Sequence, residues 1–246
     1  MRLPGAGCGC RRRRFPGRTV SLVDVAPDLC AGLSREQWAE ARELLVQTRR
    51  LWPGAWQARE EKDIGHGHLG LLLVDGLMSR ELHVAGSVGV ELLGPGDLIR
   101  PWRWEAAHDL LPLDARWSVL SAATVALLDR RVAVELSRWP AIIVWLLDRV
   151  AERSERVATS QAIAQLTGVD RRILALFLHL AERWGRVSPD GVVVPLVLTH
   201  RLLGQLVGAC RPTVSTALKT LADRGELLRR RDGSWLLPAL IGDPSR

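Results

Sequence analysis

The spacing of apolar residues changes several times along this 246-residue chain, and each change predicts a different kind of element. From Ser34 to Leu51 the spacing is helical: Trp38, Ala41, Leu44 and Leu45 share one face, Ser34 is placed to cap, and Glu36 and Gln37 sit in the first turn. From about His68 the texture becomes that of strands. Leu69–Val74, Leu77–Val84 and Ser87–Leu93 are short Leu/Val-rich runs, punctuated by Asp75-Gly76, Gly86 and Gly94-Pro95-Gly96. Trp117–Leu120 and Thr124–Leu128 are two more such runs. Turn signals at this interval predict an antiparallel sheet, a small β-roll or barrel from about residue 65 to 135.

At Trp139-Pro140 the period switches back to helical. Pro140 suits a first turn, and the sequence then runs to about Leu166 without Gly or Pro. Ile143, Val150, Val157 and Ala164 recur every seven residues, with Leu146 and Leu147 in the neighbouring row. Such a stripe on a helix whose lower half is polar (Glu152, Arg153, Glu155, Arg156) suits a two-helix seam, with Ile143, Leu146, Leu147, Val150 and Val157 as the dimer-interface residues. An ordinary helix packed on its own sheet is the competing explanation. Gly168 breaks this helix, and Asp170 is the expected cap of the next, Arg171–Trp184, with Ile173, Leu174, Phe177, Leu178 and Leu180 inward. Ser188-Pro189-Asp190-Gly191 is a turn and Val192–Val197 a short strand.

The segment from Thr199 to Leu221 is the most informative. Thr199 caps a two-turn helix with Leu202, Leu203 and Leu206 inward, and Gly208 lets the chain reverse. Pro212 stands near the start of the next helix, where its missing N–H costs nothing. Val214, Ala217, Leu218 and Leu221 form that helix's buried stripe, leaving Arg211, Ser215, Thr216 and Lys219 outside. This is how a helix-turn-helix presents side chains to a major groove. Gly225 ends the helix, and Leu227–Arg231 and Ser234–Leu237 flank the hairpin signal Asp232-Gly233. Arg229, Arg230 and Arg231 are thereby placed on a wing, where positive charge meets phosphates.

Composition sharpens this. Hydrophobic residues make up 47% and charged residues 25% of the chain, as in globular proteins. The longest apolar run, Ala141–Leu147, is far short of the roughly 20 residues of a membrane span. No apolar stretch follows Arg11–Arg14, so a cytoplasmic protein is expected. Residues 1–18 carry six arginines and no acid, residues 196–246 are net +4, and the stretch between is mildly acidic, which places any polyanion at the ends. Four cysteines, Cys8, Cys10, Cys30 and Cys210, do not amount to a disulfide framework in a chain of this length.

The run from Leu198 to Leu218, followed by Leu221-Ala-Asp-Arg-Gly-Glu-Leu227, resembles the Crp/Fnr family of bacterial regulators, as do Leu93-Gly-Pro-Gly-Asp-Leu-Ile99 and the Pro140 helix start. The resemblance covers about residues 60–240. It implies an α+β chain with an N-terminal β-roll (a cyclic-nucleotide-binding-like jelly roll), a long dimerisation helix and a C-terminal winged helix-turn-helix. The implied boundaries are a disordered basic arm at 1–18, helices and sensor-like roll at 19–137, the dimerisation helix at 138–167 and the DNA-binding domain at 168–246. By position, Arg211, Pro212 and Thr216 fall where the family reads bases, and Thr213 where a phosphate contact is usual. Arg211 keeps a guanine-reading type, whereas Pro212 and Thr216 depart from the common acidic and basic pair, implying a different operator. Double-stranded DNA and a second copy of the chain are the implied partners, with RNA polymerase a further candidate and the effector undefined.

The sensor half departs further. Cyclic-nucleotide binders of the family carry a Gly-Glu-Leu after the Gly-Asp turn and an Arg with a small partner later. Here the corresponding residues are Arg100-Pro101-Trp102, and Arg116 lies between Ala115 and Trp117. A cyclic nucleotide is not expected. Cys8-x-Cys10 with Cys30 and Cys210 lacks the family's tighter iron–sulfur spacing, and His66-x-His68 has no nearby carboxylate or Cys to complete a metal site. Cys30 is read as a small buried residue. No carboxylate pair or Ser/His/Asp set stands out, so neither an enzyme nor a cofactor is expected. The alternative to a dimeric regulator is a non-DNA-binding adaptor or degenerate sensor that uses its helix-turn-helix for protein contacts.

Overall fold

The computed structural model describes residues 17–57, 68–101 and 111–238. Cys8, Cys10, the Arg11–Arg14 run, His66 and Trp102 lie outside them. The chain divides into two units, Met1–Arg80 with Leu92–Ala151, and Glu81–Glu91 with Glu152–Arg246. Arg18, expected to end the basic arm, is already in β1 (Arg18–Ser21). After it come α1 (Leu22–Val25), a 3-10 turn at Pro27–Cys30 and α2 (Arg35–Ala41). Ser34 caps α2 as anticipated, its hydroxyl accepting from Gln37 N while Ser34 N donates to Gln37 Oε1.

The helix anticipated over Ser34–Leu51 stops at Ala41, and Leu45–Leu51 is strand β2. Burial there alternates at first, with Val46 and Thr48 inward, Leu51 is buried in the core on the other face, and β-branched Val46 and Thr48 favour the extended form. β3 (Gly54–Trp56) follows. The anticipated runs 69–74 and 77–84 form one strand, β4 (Gly70–Val84). Asp75-Gly76 is not a reversal: at φ 88° Gly76 lets β4 pass the backbone of the strand beside it, where a Cβ would stand 2.5 Å from Ala122 O. β5 (Ser87–Leu93) and β6 (Leu98–Ile99) follow, and the two anticipated runs at 117–120 and 124–128 are one strand, β7 (Leu113–Leu128).

The sheet runs β1-β2-β7-β4-β5, with β3 also on β7 and β6 on β4. Alternate residues serve two cores. Leu72, Ala126 and Leu128 meet α1, α2, α3 (Arg130–Leu136) and the start of α4 (Pro140–Ala164). Their neighbours Leu71, Leu73, Val125 and Leu127 gather with Met78, Leu93, Ile99 and Trp117 on the other face. The sheet is thus buried on both faces, by helices on one and by its own strands on the other. The glycine turn after β5 is held internally, with Gly94 N donating to the buried Asp97 carboxylate at 2.9 Å. Cys30 lies in the helix-side core, where burial pushes its thiol pKa up.

Seven of the eight described tryptophans (38, 52, 117, 139, 145, 184 and 235) have an arginine guanidinium 4.7–5.9 Å from the ring centroid. Along α4, Leu146 turns into its own core rather than toward a second chain. Ile143, Val144, Leu147 and Val150 stay 38%, 55%, 63% and 47% exposed on one side of the helix. Farther along, Arg153 donates from Nε and Nη2 to both carboxylate oxygens of Glu91, at 2.6 and 2.9 Å. Among the described residues no helix is long and apolar enough to cross a membrane.

Candidate nucleic-acid interface

The second unit assembles its outward face from short elements with strong local signals. α5 runs Val169–Trp184, with Gly168 at its N-cap. Asp170 does not cap it as anticipated: it lies in the first turn and pairs with Arg224 Nη1 at 3.2 Å. The inner face of α5 is Ile173, Leu176, Phe177 and Leu180, while the anticipated Leu178 is exposed and Leu174 only half-buried. A 3.6-residue period through Ile173 and Phe177 passes Leu176 and Leu180, leaving Leu178 on the far side. β8 (Arg186–Ser188) and β9 (Gly191–Val194) make the expected turn, though β9 ends at Val194, before Pro195, rather than reaching Val197.

In α6 (His200–Val207) Thr199 Oγ1 accepts from Leu202 N at 3.1 Å, and Gly208 is left-handed at φ 63°. Leu202, Leu203, Gly204 and Val207 are buried, whereas Leu206 is only half so. Gly204 is a requirement the pattern did not announce. A Cβ there would stand 2.4 Å from Ala209 O, so only glycine lets the turn fold back on α6. Arg172 of α5 adds a second unannounced hold, donating from Nη1 to Val207 O at 2.7 Å and to Gly208 O at 3.3 Å. These carbonyls at the helix end would otherwise lack donors.

α7 (Arg211–Asp223) follows with Pro212 in its first turn. Its buried side is Val214, Ala217, Leu218 and Leu221, as the sequence predicts. Arg211, Pro212, Thr213, Ser215, Thr216 and Lys219 are all exposed. The hydroxyls of Ser215 and Thr216 back-bond to Arg211 O and Pro212 O, at 3.1 and 3.3 Å. His200 Nδ1 reaches Ser215 Oγ at 2.9 Å. Partial burial, then Arg229 and Arg211, hold the His200 pKa below its ordinary value. Cys210 precedes the helix, exposed, and its hydrogen bond with Thr213 Oγ1 at 3.0 Å holds the thiol below its usual range.

The wing is β10 (Leu228–Arg229) and β11 (Trp235–Pro238), continuing into β9 and β8 as one four-stranded sheet. Arg230 and Arg231 lie in the connecting turn, beyond the paired residues, because Gly233 N closes onto Arg230 O at 3.0 Å and Asp232 accepts from Ser234 N at 2.9 Å. Arg229 pairs across the strands with Trp235 and lies 5.5 Å over its ring. Trp235 in turn packs on Phe177 at 4.8 Å, tying the wing to α5. The outcome is a row of cationic and hydroxyl groups on α7 and the wing, fixed from behind by an apolar core.

A short helix, a left-handed glycine turn, an outward polar helix and a paired wing define a winged helix-turn-helix protein. Residues 171–238 match the family profile of the Crp-like helix-turn-helix domain, so this part of the chain is a Crp-like helix-turn-helix domain. A CRP-like cAMP-activated global transcriptional regulator of Mycobacterium tuberculosis is 35% identical over 133 residues. That match takes in 51% of this chain, which spans only 57% of the relative's length. Among solved structures, a CooA variant from Carboxydothermus hydrogenoformans superposes with TM-score 0.60 at 17% identity, over 80% of this chain and 85% of that one. A cyclic nucleotide-binding domain containing protein from Listeria monocytogenes gives 0.62 at 16%, over 78% and 88%. At these identities the likeness is one of fold.

Proposed function

We propose that the chain is a sequence-specific DNA-binding transcription regulator that acts as a homodimer and whose roll takes no cyclic nucleotide. The observation that carries it is the exposed set Arg211, Pro212, Thr213, Ser215, Thr216 and Lys219 on one side of α7, beside Arg229, Arg230 and Arg231. Residues at the start of α7 read base edges, and the wing arginines meet phosphates. In the same reading 138–167 dimerises, through the exposed Ile143, Leu147 and Val150 with Val157 farther along, and 168–246 binds DNA. RNA polymerase is a downstream partner.

The mycobacterial relative is described as cAMP-activated, and this chain is read differently. After the glycine turn stand Arg100 and Pro101, where family members that bind the nucleotide have an acid, and Arg100 donates to Leu69 O. Arg116 spends its Nε on Asp114 Oδ2 at 2.8 Å. Millimolar cyclic AMP or cyclic GMP is expected to give no heat in calorimetry, and micromolar binding by either overturns that part.

Titrating a duplex selected from a random pool at two salt concentrations tests the main reading. A protein neutralising phosphates releases counterions, so affinity must fall steeply with salt. A chain that selects no duplex, or binds one with a flat salt response, is instead an adaptor using α7 for protein contacts.

A further inference from the structure

We propose that His200 is a further DNA-contacting residue, a phosphate ligand that takes up a proton as the duplex docks. The inference rests on the DNA-binding reading above and adds a residue and a proton to it. His200 is the first residue of α6, fixed there by the Thr199 cap, and its ring is half-buried. Its Nδ1 lies 2.9 Å from Ser215 Oγ, on the outward side of α7. Ser215 has one hydroxyl hydrogen, and it goes to Arg211 O at 3.1 Å. With the one hydroxyl hydrogen of Ser215 assigned to Arg211 O, the hydrogen between ring and hydroxyl is carried by Nδ1, so that the histidine donates and Ser215 accepts. In a neutral ring of this tautomer Nε2 carries a bare lone pair, and it takes no partner among the described residues.

The groups around the ring decide its charge. Partial burial acts first, then Arg229 from β10 and Arg211 from α7, all favouring the neutral form. Arg201, the next residue of α6, has the same sign, and among the described residues no carboxylate acts on the ring to oppose them. A bare Nε2 lone pair facing a phosphate oxygen is repulsive, whereas an imidazolium N–H donates a charge-assisted bond. Phosphates laid along α7 and the wing would also offset Arg211 and Arg229, the two charges that keep the proton off. Docking thus changes both the partner and the field in the direction of protonation. Meanwhile the Nδ1–Ser215 bond is kept, since both forms of the ring donate there.

The sign follows. The ring's pKa is lowered in the free protein and raised in the complex, so the gain in affinity is complete below the free-protein value, which lies under 6.5. It is lost as pH rises through the value in the complex. One proton per protomer limits the slope to about tenfold per pH unit for each half-site.

Fluorescence anisotropy with a random-sequence duplex of about 30 base pairs, at low salt and about pH 6, 7 and 8, compares the wild type with His200→Gln and His200→Arg. The wild type should weaken severalfold with each step up in pH. His200→Gln should give a flat profile, weaker than wild type at the acid end and equal to it at the alkaline end. His200→Arg should be flat and tight throughout, an outcome that a purely structural histidine would not produce. A titration of the ring by NMR should show its pKa rising on addition of duplex. A wild-type profile without slope, or a slope that survives His200→Gln, overturns the proposal while leaving DNA binding intact. If no variant binds the duplex at any pH, the DNA-binding reading itself falls, and this one with it.

Discussion

In the reader unit the polar chemistry is on the outside: α7 hides Val214, Ala217, Leu218 and Leu221 and exposes Arg211, Thr213, Ser215, Thr216 and Lys219. In the sheet unit much of it is inside, with Ser21, Thr48, Ser79, Arg80 and Asp97 buried among the strands. The difference has a physical consequence. A side chain on a solvated face can be exchanged with a stability change within about 0.5 kcal/mol. A buried polar group that is hydrogen-bonded, such as Asp97, cannot, because its partner is left unsatisfied at a cost of about 1–3 kcal/mol. The reader can therefore change specificity without endangering its fold, whereas a change of specificity in the roll must also be a change in packing.

The largest expected effect removes the support behind the exposed face. Phe177 is fully buried and packs on Trp235, ring centroids 4.8 Å apart and tilted by 43°. Phe177→Ala should cost about 3–5 kcal/mol and abolish DNA binding, because the wing and α7 lose a common floor. Chemical denaturation followed by tryptophan fluorescence measures it; a loss under about 1 kcal/mol would mean that the wing is held independently of α5.

Next comes the exposed apolar stripe of α4. Val150→Asp with Val157→Asp would bring like charges together across the proposed seam, leaving uncompensated charge in an apolar contact. Sedimentation should then find monomers with weakened DNA binding. A stable dimer in the double variant places the seam elsewhere.

The polar residues test the contrast directly. Asp97→Ala removes the acceptor of Gly94 N inside the roll and should cost about 1–3 kcal/mol of stability. Arg211→Ala should leave stability nearly unchanged yet lose about 1–3 kcal/mol of discrimination at one base pair of each half-site. Arg230→Ala should instead weaken operator and scrambled duplexes together and flatten the salt dependence. If Arg211→Ala scales both duplexes equally, Arg211 is a phosphate contact.

The same contrast explains what was legible beforehand. The reader is governed by local signals: a cap at Thr199, a left-handed Gly208, Pro212 in a first turn and a four-residue apolar stripe, all readable within 25 positions. The roll is governed by pairing. Thr48 faces Arg18 on one side and Ala126 on the other, partners that no window around residue 48 contains. Leu44 and Leu45 accordingly fit a helical period until β1 and β7 claim the segment. Gly76 reads as a turn until its neighbour is known to be β7. Inside the reader, what stayed hidden has the same origin: Gly204 is fixed by the return of Ala209, Arg172 by carbonyls 35 residues away, and His200 by Ser215 across the turn.

The smallest expected effect is the sharpest comparison, since it makes the same chemical change in both units. Asp129 caps α3 by accepting from Val132 N at 2.9 Å, and Thr199 caps α6 by accepting from Leu202 N at 3.1 Å. Loss of a cap costs about 1 kcal/mol in either case, because an N–H in the first turn loses its partner. Asp129→Ala and Thr199→Ala should thus lower denaturation midpoints by similar amounts. Their effects on DNA should differ. Fraying of α3 disturbs the helix-side core of the roll, where Val132 and Leu136 are buried. Fraying of α6 moves His200, the residue after the cap, away from Ser215 and so disturbs the outward side of α7. Thr199→Ala is expected to weaken duplex binding severalfold at constant temperature and salt, with Thr199→Ser restoring it. Asp129→Ala is expected to bind as the wild type does below its melting range. Equal losses from both variants would show that reader and roll share one cooperative stability, and that the exposed face is not as separable from its fold as its burial pattern indicates.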